Sequence, residues 1–117
     1  MTDWMKVVYR AGPYGGKNFA EIEQHIVTAE VYAVKLWNLG YGVFCPHLNT
    51  AHFEVKAKAP ESAYKEFDLR MLEACDAVFV LPGWMDSAGT KAEMARAREI
   101  GLPVINDLQD LQIVLPA

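Results

Sequence analysis

Apolar and polar residues alternate in type along this chain, and the period changes from segment to segment. Met5-Lys6-Val7-Val8-Tyr9 reads as a strand and is broken by Gly12-Pro13-Tyr14-Gly15-Gly16. From about Phe19 to Leu39 the apolar positions Ile22, Ile26, Ala29, Ala33 and Leu36 recur at helical spacing, and Gly40 is placed to end that helix. Tyr41 to Cys45 predicts a second strand, stopped by Pro46. Between Pro46 and about Pro60 no period survives, and an aperiodic stretch of that length in a small domain is often functional. Glu61 to Ala74 reads as a helix, and the continuous apolar run Ala77-Val78-Phe79-Val80-Leu81 as a buried strand. Pro82-Gly83 breaks it, Ala88 to Ile100 forms a further helix, and Pro103-Val104-Ile105 a short strand. The tail from Asp107 is ambiguous between helix and strand.

The order β-α-β-α-β-α-β predicts one doubly wound parallel sheet of four to five strands in a flavodoxin/Rossmann-like three-layer α/β sandwich. Ligands of such sheets bind beyond the carboxyl ends of the strands, where strand order switches. Three segments should meet there: the glycine loop after strand 1, the loop after strand 2, and Leu81 to Gly89 after strand 3.

Composition narrows the picture. A chain of 117 residues, 52% hydrophobic, makes one domain over residues 1–117 with a buried core. Its net charge is -4 and no two basic residues are adjacent, which argues against a nucleic acid polymer as partner. Cys45 and Cys75 are too few for a disulfide framework and fit no zinc spacing, so a reducing, cytoplasmic setting is expected. MTDWMK has neither a basic nor an apolar leader region, and no apolar run reaches the ~18 residues of a membrane span, so no membrane partner is expected.

Two carboxylates stand out on helical wheels. Tyr64, Phe67, Met71, Leu72 and Cys75 form one apolar arc, and Asp68 lies inside it, whereas Glu66, Arg70 and Glu73 fall opposite. A carboxylate on a packed face is costly without partners. Backbone amides, or water near the helix end, would be the plain resolution; a functional site is the other. Glu93 repeats the anomaly, sharing a face with Gly89, Ala97 and Ile100. Its plain alternative is a surface pair with Arg96.

Ser87 fits an N-cap, and the same helix start fits an anion site, with Gly89 allowing close approach of a ligand to the backbone. Gly12, Pro13, Gly15 and Gly16 match neither a Walker loop nor a G-x-G-x-x-G fingerprint, so they are either a plain turn or a loop that admits a sugar or phosphate. His47 sits just past strand 2, where it would line a pocket. His47 and His52 lack a third metal ligand, since His25 is mid-helix, and no metal or other cofactor is expected. Trp84 would stack on a base or fill a subunit interface, while Trp4 and Trp37 read as packing residues. Arg10 faces away from Tyr9 by alternation and suits a phosphate or a partner subunit.

Tyr9-Arg10-Ala11-Gly12-Pro13, Asp68-Leu69-Arg70-Met71-Leu72 followed by Cys75-Asp76-Ala77-Val78, and Ser87-Ala88-Gly89-Thr90-Lys91-Ala92-Glu93 together resemble the nucleoside 2-deoxyribosyltransferase-like superfamily, which includes the 2'-deoxynucleoside 5'-monophosphate N-glycosidases. The resemblance implies that Glu93 is a nucleophile toward the anomeric carbon of a (deoxy)ribosyl group, that Asp68 handles the proton of the departing base, and that Tyr9 orients Glu93. It also implies a phosphate-binding turn at Ser87 and Gly89, which lie about 9 Å and less from Glu93 at ~1.5 Å rise per residue. The partner it implies is a small-molecule nucleoside or nucleotide, and the assembly a homo-oligomer, dimer or higher. Two features depart from the pattern: the loop Gly12-Pro13-Tyr14-Gly15-Gly16 stands where the transferases of the superfamily carry an apolar, phenylalanine-rich turn, tilting toward a phosphorylated substrate, and Arg10 is unusual within its strand motif. A non-catalytic nucleotide or sugar-phosphate binding module is the alternative function, and a scaffold using only the fold is a third.

Overall fold

The computed structural model describes residues 4–117. Four strands, β1 (Val7–Ala11), β2 (Gly42–Phe44), β3 (Ala77–Val80) and β4 (Val104–Ile105), form one all-parallel sheet in the order β2-β1-β3-β4. The helices are α1 (Phe19–Asn38), α2 (Pro46–Asn49), α3 (Phe53–Lys56), α4 (Glu61–Glu73), α5 (Ala88–Glu99) and α6 (Leu108–Val114). The expected α/β three-layer sandwich is present, with the minimum of the expected strands. The ambiguous tail resolves as α6, because Asp107 caps its first amides and Leu111 is buried against the sheet.

Strand alternation divides the core. Val8 and Phe79 face α1 and α6, where they pack with Ala29, Ala33, Leu36 and Leu111. Tyr9, Ala11, Val78 and Val80 face α4 and α5, where they pack with Leu72, Met94 and Ala97. β1 and β3 are central and nearly all buried, which is why each reads as a continuous run in sequence. β1 begins two residues later than its apolar pattern suggests and runs on through Ala11. Its start is fixed at Val7, whose amide donates to Asp76 Oδ2 at 2.8 Å.

Several sequence expectations are corrected. The aperiodic stretch after Pro46 contains α2 and α3, each too short for a period to register. On α4 Phe67 is 44% exposed, so the packed arc is narrower than the wheel implies. On α5 the sheet-facing residues are Thr90, Met94 and Ala97, while Gly89 and Ile100 are exposed. Trp4 and Trp37 do not pack in the core: they are 79% and 52% exposed. Among the described residues no helix is long and apolar enough to cross a membrane.

The site is set by topology. From β1 the chain passes to β2 on one side and later to β3 on the other, so the loops leaving β1 and β3 diverge and open a crevice between them.

Candidate active site

That crevice is a cavity of about 1420 Å³, lined by the loop Gly12–Gly16, by α2 and α3, by one face of α4, by Leu81–Gly83 after β3, and by Asp86 and the first two turns of α5 as far as Glu93. The three segments expected at this sheet edge do line it together. Pro13, Gly15, Gly16, His47, Asp68, Ser87, Gly89 and Glu93 all contribute, and Gly12 closes its floor.

Tyr9 is fully buried on β1 and points toward α5, because odd positions of that strand face the α4/α5 layer. Its hydroxyl donates to Glu93 Oε2. Thr90, Met94 and Ala97 fasten α5 to the sheet, and Glu93, one residue before Met94, is carried to the edge of that contact and into the cavity. Burial pushes the Glu93 carboxyl up to about 7; the charge of Asp68 also raises it, while the Tyr9 hydrogen bond and the charge of Arg10 oppose the rise. Burial, followed by the charge and hydrogen bond of Glu93, drives the Tyr9 phenol far above its ordinary value, so it remains a donor at every working pH. The pairing of Glu93 with Arg96 does not form. Arg96 instead bonds Glu73 and Glu99 on the surface.

Asp68, on α4, lines the same cavity, and its charge acts on Glu93. Its Oδ1 is buried with no hydrogen-bond partner, and burial raises its carboxyl to about 6. A desolvated acceptor without a partner costs about 1–3 kcal/mol, so this orientation is retained against a stability cost. Neither backbone amides nor an arginine relieves it.

Ser87 is the N-cap of α5: its Oγ accepts from the Thr90 amide at 3.2 Å and from Thr90 Oγ1 at 2.8 Å. The cap leaves the amides of Ala88 and Gly89 without intrahelical acceptors, on the cavity wall, at the positive end of the helix dipole. A Cβ added at Gly89 would meet nothing within 4 Å, so that backbone is open to a ligand. Gly12 differs. A Cβ there would lie 2.8 Å from Leu81 Cβ, so this glycine lets the ends of β1 and β3 approach each other.

Two expectations are revised. Trp84 does not line the cavity and packs, partly buried, against the Tyr9 side of the core. Arg10 reaches neither the surface nor a ligand site: it is 0% exposed, with its guanidinium folded onto Cys45 and His47. His47 keeps its place on the cavity wall and is itself buried.

The sequence reading missed Tyr14, His25, Phe53, Glu54 and Tyr64, which also line the cavity. Tyr14 donates to Glu54 Oε1 at 2.7 Å and accepts from the His52 amide at 2.8 Å, tying the glycine loop to α3. His52, in a left-handed conformation at φ 60, stacks on Phe19 and bonds Glu23. The aromatic in the glycine loop was the one available signal. The rest depends on contacts between segments 29 to 40 residues apart. Among the described residues no group of three or more His, Cys, Asp or Glu could hold a metal ion.

Comparison with known proteins bears on the fold that carries this site. The model of a family described as a domain of unknown function (DUF4406) matches residues 6–106. No curated protein matches. Among solved structures, a 2-deoxyribosyltransferase from the psychrotolerant bacterium Bacillus psychrosaccharolyticus is 28% identical, with a TM-score of 0.61 over 84% of this chain and 69% of that one. The fold described above is therefore nucleoside 2-deoxyribosyltransferase-like.

Proposed function

The chain belongs to the DUF4406 family, and we propose that it cleaves or exchanges the N-glycosidic bond of a (deoxy)nucleoside or its 5'-monophosphate through a glycosyl ester on Glu93. The observation that carries this reading is the pairing of a tyrosine-held carboxylate, Glu93, with a partnerless carboxyl, Asp68, in one cavity beside the free amides of α5. The solved 2-deoxyribosyltransferase of the same fold supports it.

In the first step a Glu93 oxygen attacks the anomeric carbon. The bond from that carbon to the base nitrogen breaks, and its electron pair leaves with the base. The protonated Asp68 carboxyl gives its proton to the departing base. The transition state is oxocarbenium-like, so the negative charge of Glu93 stabilises it before bonding to it. Tyr9 holds Oε2 and leaves Oε1 as the attacking oxygen. In the second step water, or a second base, attacks the same carbon; the ester bond breaks and Glu93 is freed as a carboxylate. The proton lost by the incoming nucleophile returns to Asp68. The amides of Ala88 and Gly89 and the Ser87 hydroxyl suit a 5'-phosphate. The catalytic set is then Glu93, Asp68 and Tyr9, with Gly12, Pro13, Gly15, Gly16, His47, Ser87 and Gly89 shaping the binding surface and no cofactor required.

The test is base release, measured by chromatography over nucleosides and their monophosphates, with and without an acceptor base. The reading predicts release by the wild-type chain and loss in Glu93→Gln. Tight binding of a nucleotide with no release across the panel would instead identify a binding module.

A further inference from the structure

A buried guanidinium is expensive, because the penalty for removing it from water is several kcal/mol unless a counter-charge meets it. Arg10 occupies a strand position that an aliphatic side chain would fill, and among the described residues no carboxylate forms an ion pair with it. Its Nε and Nη2 donate to Cys45 Sγ at 3.2 and 3.1 Å, its Nη2 lies 2.8 Å from His47 Nδ1, and its Nη1 has no partner. Guanidinium has donors only. The contact with Nδ1 therefore requires a lone pair there, which places the imidazole proton on Nε2. That Nε2 lies 2.6 Å from the Pro13 carbonyl and donates to it. Pro13 and His47 both line the cavity.

We infer that Arg10 is a positioning residue: it fixes His47 as the Nε2–H tautomer, and His47 in turn pins the Pro13 carbonyl, so that the glycine loop is shaped for substrate before substrate arrives. A histidine free to exchange tautomers would offer Pro13 a lone pair part of the time, and the loop would lose its anchor. The groups facing the His47 ring are Arg10 and the Gly12 and Pro13 backbone at the end of β1, His25 on α1, and the Tyr14 ring in a T-shaped arrangement, 5.5 Å between centroids. Burial, and after it the Arg10 charge, lower the His47 imidazole to about 4, so it stays neutral near pH 7.

The kinetic consequence rests on the proposed glycosidic reading; the tautomer does not. Nitrogen-detected NMR of the imidazoles in the full chain, followed with pH, reads the tautomer directly. The wild-type His47 ring should show the Nε2–H pattern and no protonation above about pH 5. In Arg10→Met, which keeps an unbranched side chain without donors, the ring should mix tautomers and titrate closer to its ordinary value. For base release, Arg10→Met and His47→Phe should raise KM about tenfold, the worth of one buried hydrogen bond to Pro13, with kcat nearly unchanged. His47→Gln retains an amide donor toward Pro13 and should recover most of that loss. An Arg10→Met chain with the wild-type tautomer and titration would overturn the inference. So would a fall in kcat at constant KM, or a His47→Gln variant no better than His47→Phe. If Arg10→Met does not fold, the His47 pair decides. A wild-type chain that releases no base sinks the glycosidic reading alone, and the imidazole spectrum still decides the role of Arg10.

Discussion

Glu93 and Asp68 pull against each other. The proposed reaction needs Glu93 ionised and Asp68 protonated, yet burial raises both, to about 7 and about 6. The hydrogen bond from Tyr9 and the more distant charge of Arg10, on the other face of β1, both favour charge on Glu93. The two carboxyls therefore titrate as a coupled pair, and base release should follow a bell whose limbs fall close together around pH 6 to 7. In Asp68→Asn the alkaline limb should vanish and the rate should fall by roughly 10²–10⁴-fold for poor leaving bases. Rate–pH profiles of both proteins check this; an unchanged bell would remove Asp68 from the proton transfer. The sign for stability is opposite. The folded-state value of Glu93 lies above its ordinary 4.5, so its contribution is fully present below that value and is lost as pH rises through about 7. Glu93→Gln should therefore be more stable than wild type at pH 8, by about 1–3 kcal/mol, and close to equal at pH 4, as denaturant melts at the two pH values would show. Both carboxylates were legible because charge on a packed helical face breaks the binary pattern. Arg10 breaks that pattern as well, but its receivers, Cys45 and His47, lie 35 and 37 residues away, so the sequence signalled an oddity without its resolution.

At the scale of elements, the two glycine regions of the site separate packing from binding. Gly12→Ala must push Leu81, because the new Cβ would sit 2.8 Å from Leu81 Cβ, and overpacking of this kind costs about 1–3 kcal/mol. Gly89→Ala meets nothing and should leave the melting temperature unchanged or raise it, since alanine suits a helix better than glycine. If a phosphate rests on the amides of α5, the same methyl should weaken monophosphates several-fold and leave free nucleosides nearly untouched. Comparing KM for each substrate pair checks this, and equal losses would move the phosphate elsewhere. Strands and long helices were readable because burial imposes a period over many residues. The stretch holding α2 and α3 was not, because four-residue helices carry no period and their placement comes from Tyr14–Glu54 and His52–Glu23 contacts made by other elements.

At the scale of the molecule, α1 turns Val27, Val31 and Val34 outward at helical spacing, each about half exposed, and Trp37 is 52% exposed on the same helix. Amphipathicity predicted the inward stripe of Ala29, Ala33 and Leu36 correctly; the second, outward stripe is what a helix with two partners needs. The homo-oligomer that the sequence resemblance implies would cover it. Val31→Glu should then reduce the sedimenting mass to that of one chain, and a wild-type chain already monomeric at micromolar concentration would contradict the assembly. The central claim is narrower than any of these, and it concerns one bond to Glu93. Its most direct measurement is release of free base from a panel of deoxynucleosides and their 5'-monophosphates by wild type and by Glu93→Gln, with circular dichroism of both. Release by wild type, with loss of at least about a thousandfold in a folded Glu93→Gln, is the predicted result; a folded Glu93→Gln that releases base at the wild-type rate would contradict it.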